Sequence, residues 1–217
     1  MVVASGEIVL GAERDTAKHG QAERLLPMVD AVMRAASLSP SALSIIGVTI
    51  GPGSFTGIRV GLAAARGIAL ATGAQLIGVS GFEAVAAGLA GPFPSGGIIL
   101  TVLESRREDI YIQLFDHACD PLGDPAAVMP AALDEKLHGI IGGAPLLVAG
   151  DAVQRAAKIL TQRPGMIVAE GSPPDAAGVL RAVLRRLRLR ARTPTPVPLY
   201  LRPPDVTIAN AHQRAGR

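Results

Sequence analysis

The sequence has few aromatic residues and a single cysteine. Of its 217 residues none is Trp, two are Tyr and four are Phe. A platform that stacks single-stranded nucleic acid needs clustered aromatic rings, so this class of protein is disfavoured. With Cys119 alone, an intrachain disulfide and Cys-x-x-Cys motifs are excluded. The core must be built from small aliphatic side chains, and the 36 alanines predict close packing of helices and strands.

Long apolar runs are also missing, although 49% of the residues are hydrophobic. Charged residues interrupt every apolar stretch well short of the ~18 residues that a membrane-spanning helix requires. Glu7 does so near the start, before the apolar core of a signal peptide develops. We therefore predict a globular cytoplasmic protein with no membrane segment, large enough for one large domain or two modest ones.

Acidic residues are scarce in the last third of the chain. Residues 1–150 hold 9 basic and 14 acidic side chains, a net charge of −5, whereas residues 151–217 hold 12 and 4, a net charge of +8. This part contains an arginine stripe at helical spacing, formed by Arg181, Arg185, Arg188 and Arg192. Such a stripe can attract tRNA or an acidic partner, or it is an ordinary solvated helix face, which the sequence favours.

Apolar periodicity predicts an alternation of strands and helices. We expect strands at 7–10, 45–50, 75–79, 98–103, 110–115 and 146–149, and helices at 21–37, 57–72, 82–89, 151–160 and 175–191. Ser80 and Glu83 predict a capping box at the third helix. The order in the first half predicts parallel strands in an α/β layer. The glycine- and proline-rich segment 91–97 divides the chain into domains 1–93 and 94–217, with the last segment packing back on the first domain.

The most informative segment is 51–61, Gly-Pro-Gly-Ser-Phe-Thr-Gly-Ile-Arg-Val-Gly, between a predicted strand and a predicted helix. Backbone N–H groups at such a junction can bind an anion. The candidate phosphate-binding residues are Gly51, Gly53, Ser54, Thr56 and Gly57. The segment matches neither a Walker A loop, nor the dinucleotide fingerprint, nor a nucleophile elbow. A tight turn with a helix cap from Ser54 or Thr56 explains the same residues, and both interpretations stay open.

Gly57, Gly61 and Ala65 share one face of the helix that follows. Glycine inside a helix costs ~1 kcal/mol relative to alanine, so this face needs a packing reason. Close approach of another helix supplies one, either inside the protein or across an interface. The residues alone favour internal packing.

The sequence offers no convincing catalytic or metal-binding set. The four histidines, His19, His117, His138 and His212, are scattered and form no His-x-x-x-His pair. The carboxylates of 104–109 alternate with Arg106 and Arg107, which favours an ion-paired hairpin turn over acid/base chemistry. Asp116 and Asp120 flank Cys119 and argue against a reactive thiolate.

Several of these segments together resemble the TsaB (YeaZ) family, bacterial proteins of tRNA threonylcarbamoyladenosine modification. The resemblance is carried by 51–62, by Ala-Arg-Gly-Ile-Ala-Leu at 65–70, and by 21–28 and 78–86. In the second half, 104–111 is similar to the family's Asp-Ala-Arg-x-x-Glu-Val-Tyr hairpin, and 198–202 matches its Pro-x-Tyr-x-Arg segment.

The resemblance implies an α/β fold of two RNase H-like lobes, of the actin-like and sugar-kinase ATPase superfamily. The family opens with a strand of the pattern Ile-Leu-x-Ile-Asp-Thr. Residues 1–6, Met-Val-Val-Ala-Ser-Gly, correspond to the second strand instead. We therefore expect the first strand of lobe one to be missing, together with an acidic residue that related ATPases use near the phosphates.

The resemblance also implies a non-catalytic subunit that activates the paralogous transferase TsaD. That complex includes the ATPase TsaE and installs threonylcarbamoyl on N6 of the adenosine next to the tRNA anticodon. No cofactor is expected in this chain, whereas ATP or ADP and a metal are expected in its partner subunits; the isolated chain can form a homodimer. The implied partner surface comprises Leu25, Met28, Gly57, Arg59, Gly61, Leu62 and Ala65.

The alternative is a nucleotide-dependent transferase or kinase-like enzyme of the same superfamily that acts on its own and binds phosphate with 51–57. A peptidase would need a nucleophile with a base, or a metal site, and the sequence supplies neither.

Overall fold

The protein has an α/β fold, as predicted. The computed structural model describes residues 1–15, 20–89, 93–160, 163, 165–191 and 193–202, which form nine β-strands and six α-helices. In this part of the chain, every helix is too short or too polar to cross a membrane.

The first half contains two separate pairs of strands and three helices. Its elements are β1 (Val2–Ser5), β2 (Ile8–Ala12), α1 (Gln21–Ala35), β3 (Ile45–Gly51), α2 (Phe55–Thr72), β4 (Gln75–Ser80) and α3 (Gly81–Gly88). β1 and β2 pair antiparallel, and β3 and β4 pair parallel, as the sequence predicts. α1 continues through Pro27. The predicted capping box of α3 is confirmed, since Ser80 and Glu83 bond to each other's backbone N–H.

The second half forms one five-stranded sheet with helices around it. Its elements are β5 (Ile98–Glu104), β6 (Ile110–Asp116), β7 (Ala126–Val128), α4 (Leu133–Ile141), β8 (Leu146–Ala149), α5 (Val153–Ile159), β9 (Ile167–Val168) and α6 (Ala176–Arg188). The strand order is β7-β6-β5-β8-β9. The central strand β5 pairs antiparallel with β6 and parallel with β8. β7, α4 and β9 were not predicted.

The two halves repeat one order of elements. The antiparallel pair β1/β2 corresponds to β6/β7, and the parallel pair β3/β4 corresponds to β8/β9. In the second half β5 joins the two pairs into one sheet, whereas among the described residues of the first half no strand does. The expectation that lobe one lacks its first strand stays a prediction.

Helix α6 packs on elements of the first half. It contacts α3, β3 and β4, and Val179, Ala182 and Val183 share a buried cluster with Ile77 of β4. The approach to α3 is very close, because a Cβ added to Gly178 would lie 2.2 Å from the carbonyl oxygen of Ala84. The domain boundary at residue 93 stays a prediction; residues 91 and 92 of the predicted linker lie outside the described residues.

The arginines of α6 are engaged within the protein. Arg181 donates to the Gly88 carbonyl, Arg185 to the Ala118 carbonyl and to Asp120, Arg186 to the Gly78 carbonyl and to Glu83, and Arg188 to Glu7. Arg192 lies outside the described residues. The stripe is partly solvated, as favoured, since Arg181 and Arg188 are exposed, but the side chains of its first three residues also bond α6 to neighbouring segments. A tRNA phosphate would have to compete with these bonds.

Residues 193–202, here called the C-terminal strap, form neither helix nor strand and contact both halves. The Leu199 N–H donates to the Ile50 carbonyl at 2.8 Å. Arg66 of α2 donates to the Pro196 carbonyl at 2.6 Å. At its far end, Arg202 pairs with Asp109, which is 2% exposed. The strap therefore joins the end of β3 to the β5–β6 turn.

Candidate functional site

The glycine-rich loop ends in a capped helix. Ser54 is the N-cap of α2, and its Oγ accepts a hydrogen bond from the Gly57 N–H at 3.0 Å. A Cβ at Gly57 would lie 2.8 Å from that oxygen, which is the end of a side chain that can shift. Ser80 caps α3 in the same way with Glu83 at the corresponding position, so the cap does not by itself require glycine. Of the two predicted caps, Ser54 is the one that forms.

Position 51 must be glycine because the C-terminal strap packs directly against it. Its φ is +119°, a conformation that residues with a Cβ rarely adopt. A Cβ there would lie 2.6 Å from the Leu199 carbonyl oxygen. The strap thus accounts for one of the glycines that were predicted to bind phosphate.

A cavity of about 260 Å³ lies beside this loop. Its lining residues are Thr49, Gly51, Pro52, Gly53, Ser54, Gly57, Ile58, Gly81 and Pro174. None of these side chains carries a charge. Thr56, the remaining candidate, does not line the cavity. Phosphate sites normally combine helix N–H groups with cations that offset the charge of the phosphates, and this lining supplies no cation.

The predicted partner residues on α2 divide into two groups. Leu62 and Ala65 are only 2% and 6% exposed, so they face the core and the prediction that they form a surface is wrong. Gly57 and Arg59 are exposed, and Gly61 is half-buried. A Cβ added to Gly61 would meet no atom within 4 Å. The favoured explanation of the small face, internal packing, therefore fails for Gly61.

One strip of the solvent-facing side of α2 consists of small residues. At 100° per residue this strip carries Thr56, Val60, Ala63, Ala64, Gly67 and Ala71, and Arg59, Arg66 and the 89% exposed Leu70 lie beside it. We call the residues of this strip together with Gly57 and Gly61 the α2 surface. α1 packs beside α2, where Leu25 and Met28 are half-buried and Leu26 is 57% exposed. A second helix could approach these small residues closely, with Leu70 and the two arginines along one side of the contact.

Three side chains form a stacked cluster at one edge of the α2 surface. The Arg59 guanidinium carbon lies 3.6 Å from the centroid of the Phe55 ring. Its Nε donates to the Tyr200 hydroxyl at 3.1 Å, and the two aromatic rings are 5.0 Å apart. Phe55 and Tyr200 were not predicted as site residues. Both stand in the segments of resemblance, but nothing in the sequence pairs Tyr200 with Arg59, 141 positions away.

The charged turn between β5 and β6 is tied down by ion pairs. Glu104 pairs with Arg155 at 2.7 Å, and the buried Asp109 pairs with Arg202. The turn is ion-paired, but the prediction named Arg106 and Arg107, whereas Glu104 and Asp109 pair with Arg155 and Arg202. Its pairs reach α5 and the strap, which lie far away in sequence.

Groups of His, Cys, Asp or Glu that could hold a metal ion are absent from the part of the chain that the structure describes. His117 and His138 are exposed and lie apart in sequence, on the β6–β7 connection and on α4. His19 and His212 lie outside the described residues.

Burial raises the pKa of the Cys119 thiol; Arg185 opposes this shift, and Asp116 and Asp120 add to it. We therefore expect iodoacetamide to alkylate Cys119 more slowly at pH 7.5 in the folded protein than in urea, because less thiolate is present. Arg185→Gln should slow the folded-state reaction further. Mass spectrometry of timed samples measures both rates, and a folded rate equal to the urea rate would contradict the expectation.

Comparison with known proteins assigns the family. The profile of the family described as TsaD, tRNA N6-adenosine threonylcarbamoyltransferase, matches residues 14–157. An uncharacterized protein of Mycobacterium tuberculosis is 32% identical over 198 residues, which cover 91% of this chain and 82% of that protein. The tRNA threonylcarbamoyladenosine biosynthesis protein TsaB of Escherichia coli is 33% identical over 91 residues, 41% of this chain and 38% of that protein.

A solved structure supports the same fold. It is an uncharacterized protein from Pseudomonas aeruginosa, described as similar to peptidase YeaZ, with a TM-score of 0.70 at 23% identity over 87% of each chain. The profile match alone spans well over half of the sequence, and it includes the glycine-rich loop, α2 and the β5–β6 hairpin. The chain therefore belongs to the TsaD/YeaZ (TsaB) family.

Proposed function

We propose that this protein is a non-catalytic partner of a TsaD-type transferase and activates it in the threonylcarbamoylation of tRNA adenosine. Family membership supplies the reaction, and the E. coli relative carries the name of a biosynthesis protein of this modification. The described residues offer no grouped metal ligands, and the cavity beside the loop has no charged lining. These features favour a binding role over chemistry by this chain alone.

The observation that carries the proposal is the α2 surface. Gly61 costs helix stability, yet a side chain at this position would meet nothing inside the protein. Gly67, six residues later, is exposed and equally open. Glycine at these two positions lowers the stability of the helix and improves no contact inside the protein. A partner that packs against the helix explains the glycines, since small residues let two helix backbones approach closely. We place the docking surface here, flanked by Leu25 and Met28 of α1.

The rest of the assembly follows from the same proposal. The partner transferase contributes the metal and the nucleotide chemistry, TsaE supplies ATP hydrolysis, and tRNA is bound by the complex. In isolation, the α2 surface can pair with a second copy to form a homodimer.

Gly61→Gln is expected to weaken binding to the TsaD paralogue of the same organism by about 10- to 100-fold, because overpacking a close contact costs about 1–3 kcal/mol. The isolated variant should be at least as stable as the wild type, since glutamine is the better helix former. Isothermal titration calorimetry measures the affinity and urea unfolding the stability.

The matched control is Gly139→Gln on α4, where an added side chain also meets open space. It should leave the affinity unchanged. Failure of the wild-type protein to bind the paralogue at micromolar concentration would overturn the proposed function. If Gly61→Gln binds the paralogue with unchanged affinity, the docking surface does not include Gly61 and lies elsewhere.

The alternative of an independent nucleotide-dependent enzyme rests on the cavity at the N-terminus of α2. Calorimetry of the isolated chain with ATP and Mg²⁺ distinguishes the two functions. We expect no binding at millimolar nucleotide, because the uncharged lining cannot offset the charge of a triphosphate. Micromolar binding would favour the enzyme.

A further inference from the structure

We propose that Arg59 binds a carboxylate of the partner subunit and thereby favours this partner over a second copy of the chain. The inference rests on the proposed function and adds the chemistry by which the α2 surface recognises its partner. The observations that support it are the geometry of the cluster around Arg59 and the charges along α2.

The Arg59 guanidinium is held in place before any partner arrives. Phe55 covers one of its faces, and Tyr200 accepts a hydrogen bond from Nε. Arg59 as a residue remains exposed, and within the described ranges no acidic side chain pairs with it. Two parallel N–H donors in one plane match the two oxygens of a carboxylate. Because the side chain is already ordered, less entropy is lost on binding.

The sequence around Arg59 contains no acidic residue over a long stretch. Residues 31–82 hold three arginines and no Asp or Glu. Arg34 pairs with Asp30 at 2.8 Å, and Arg66 donates to the strap. Both ionic side chains of α2, Arg59 and Arg66, are therefore cations, and this helix offers no carboxylate to neutralise them.

This charge distribution discriminates between partners. A second copy that docks through α2 presents the same cations, so like charges face each other along the two helices. A different subunit with a carboxylate at this position gains a charge-assisted pair instead. Discrimination of this kind combines an attractive contact with a repulsive one.

The test compares two affinities in the same variants. Arg59→Glu should weaken binding to the TsaD paralogue by about 30-fold or more, the loss typical of breaking a desolvated ion pair at an interface. The homodimer of Arg59→Glu should have a dissociation constant equal to or lower than that of the wild-type homodimer. Analytical ultracentrifugation measures both. The control Lys136→Glu makes the same charge change on exposed α4 and should alter neither affinity.

Salt dependence supplies a second measurement that a structural role would not change. The heterodimer should weaken with added NaCl, and Arg59→Gln should be less sensitive to salt than the wild type. Unchanged heterodimer affinity in Arg59→Glu, with the wild type bound, would overturn the role of Arg59 and leave the proposed function intact. Equal weakening of heterodimer and homodimer would overturn the selectivity. If the wild type does not bind the paralogue, the proposed function itself fails.

Discussion

Gly178→Ala is expected to destabilise the protein by about 3 kcal/mol, at the upper end of the usual cost of overpacking. The added methyl group would lie 2.2 Å from the carbonyl oxygen of Ala84 and 2.9 Å from its carbon. These are backbone atoms of α3, so they cannot rotate away as a side chain would. The two helices must separate, and the shared cluster with Ile77 loses contacts. Thermal unfolding should show a Tm lower by roughly 6–12 °C.

The matched control is Gly139→Ala, the same chemical change in α4 at a position with open space. It should raise stability by about 0.5–1 kcal/mol through helix propensity alone. A Tm of Gly178→Ala within 2 °C of the wild type would contradict the close approach of α3 and α6.

Arg202→Ala is expected to cost about 2 kcal/mol or more, because it leaves the carboxylate of Asp109 buried without its cation. Asp109 is 2% exposed, and the Ser105 hydroxyl at 2.7 Å is the other side-chain group bonded to it among the described contacts. This expected loss of unfolding free energy is smaller than is usual when one partner of a fully buried ion pair is removed, since the Arg202 side chain is 36% exposed. Urea unfolding measures the loss.

Two further variants make this expectation specific. Adding Asp109→Asn to Arg202→Ala should recover part of the lost stability, since a neutral amide is cheaper to bury than an unpaired charge. Arg155→Ala breaks the more exposed pair with Glu104 and should cost less than about 1 kcal/mol. If the double variant is less stable than Arg202→Ala alone, the account of a buried ion pair is wrong.

Sequence periodicity predicted the helices and strands of the first half because each has local signals. Ser80 and Glu83 mark the start of α3, and a β-branched run marks β3. α4 also had a signal, with apolar residues at 133, 137 and 141 after Pro130, but glycine and polar residues around them hid it. β7 and β9 have only three and two residues, and pairing with their neighbours in the sheet makes them strands.

The candidate site was predicted only in part, because α2 is apolar except for Arg59, Arg66 and its two threonines. Leu62 is buried and Gly61 beside it is open, and the apolar residues around the rest of the helix do not tell these two positions apart. The arginines of α6 gave a clear stripe, but their partners lie on α3, β4 and the β6–β7 connection. Contacts of that kind depend on tertiary structure, which local patterns do not encode.

The position of the C-terminal strap has a consequence for biosynthesis. Tyr200 holds Arg59 from 141 residues away, and Arg202 completes the pair at the β5–β6 turn. These residues are synthesised after all nine described strands, so a shorter nascent chain cannot yet order the cluster beside the α2 surface. The contacts of the strap can therefore form only once the chain has been synthesised through Arg202.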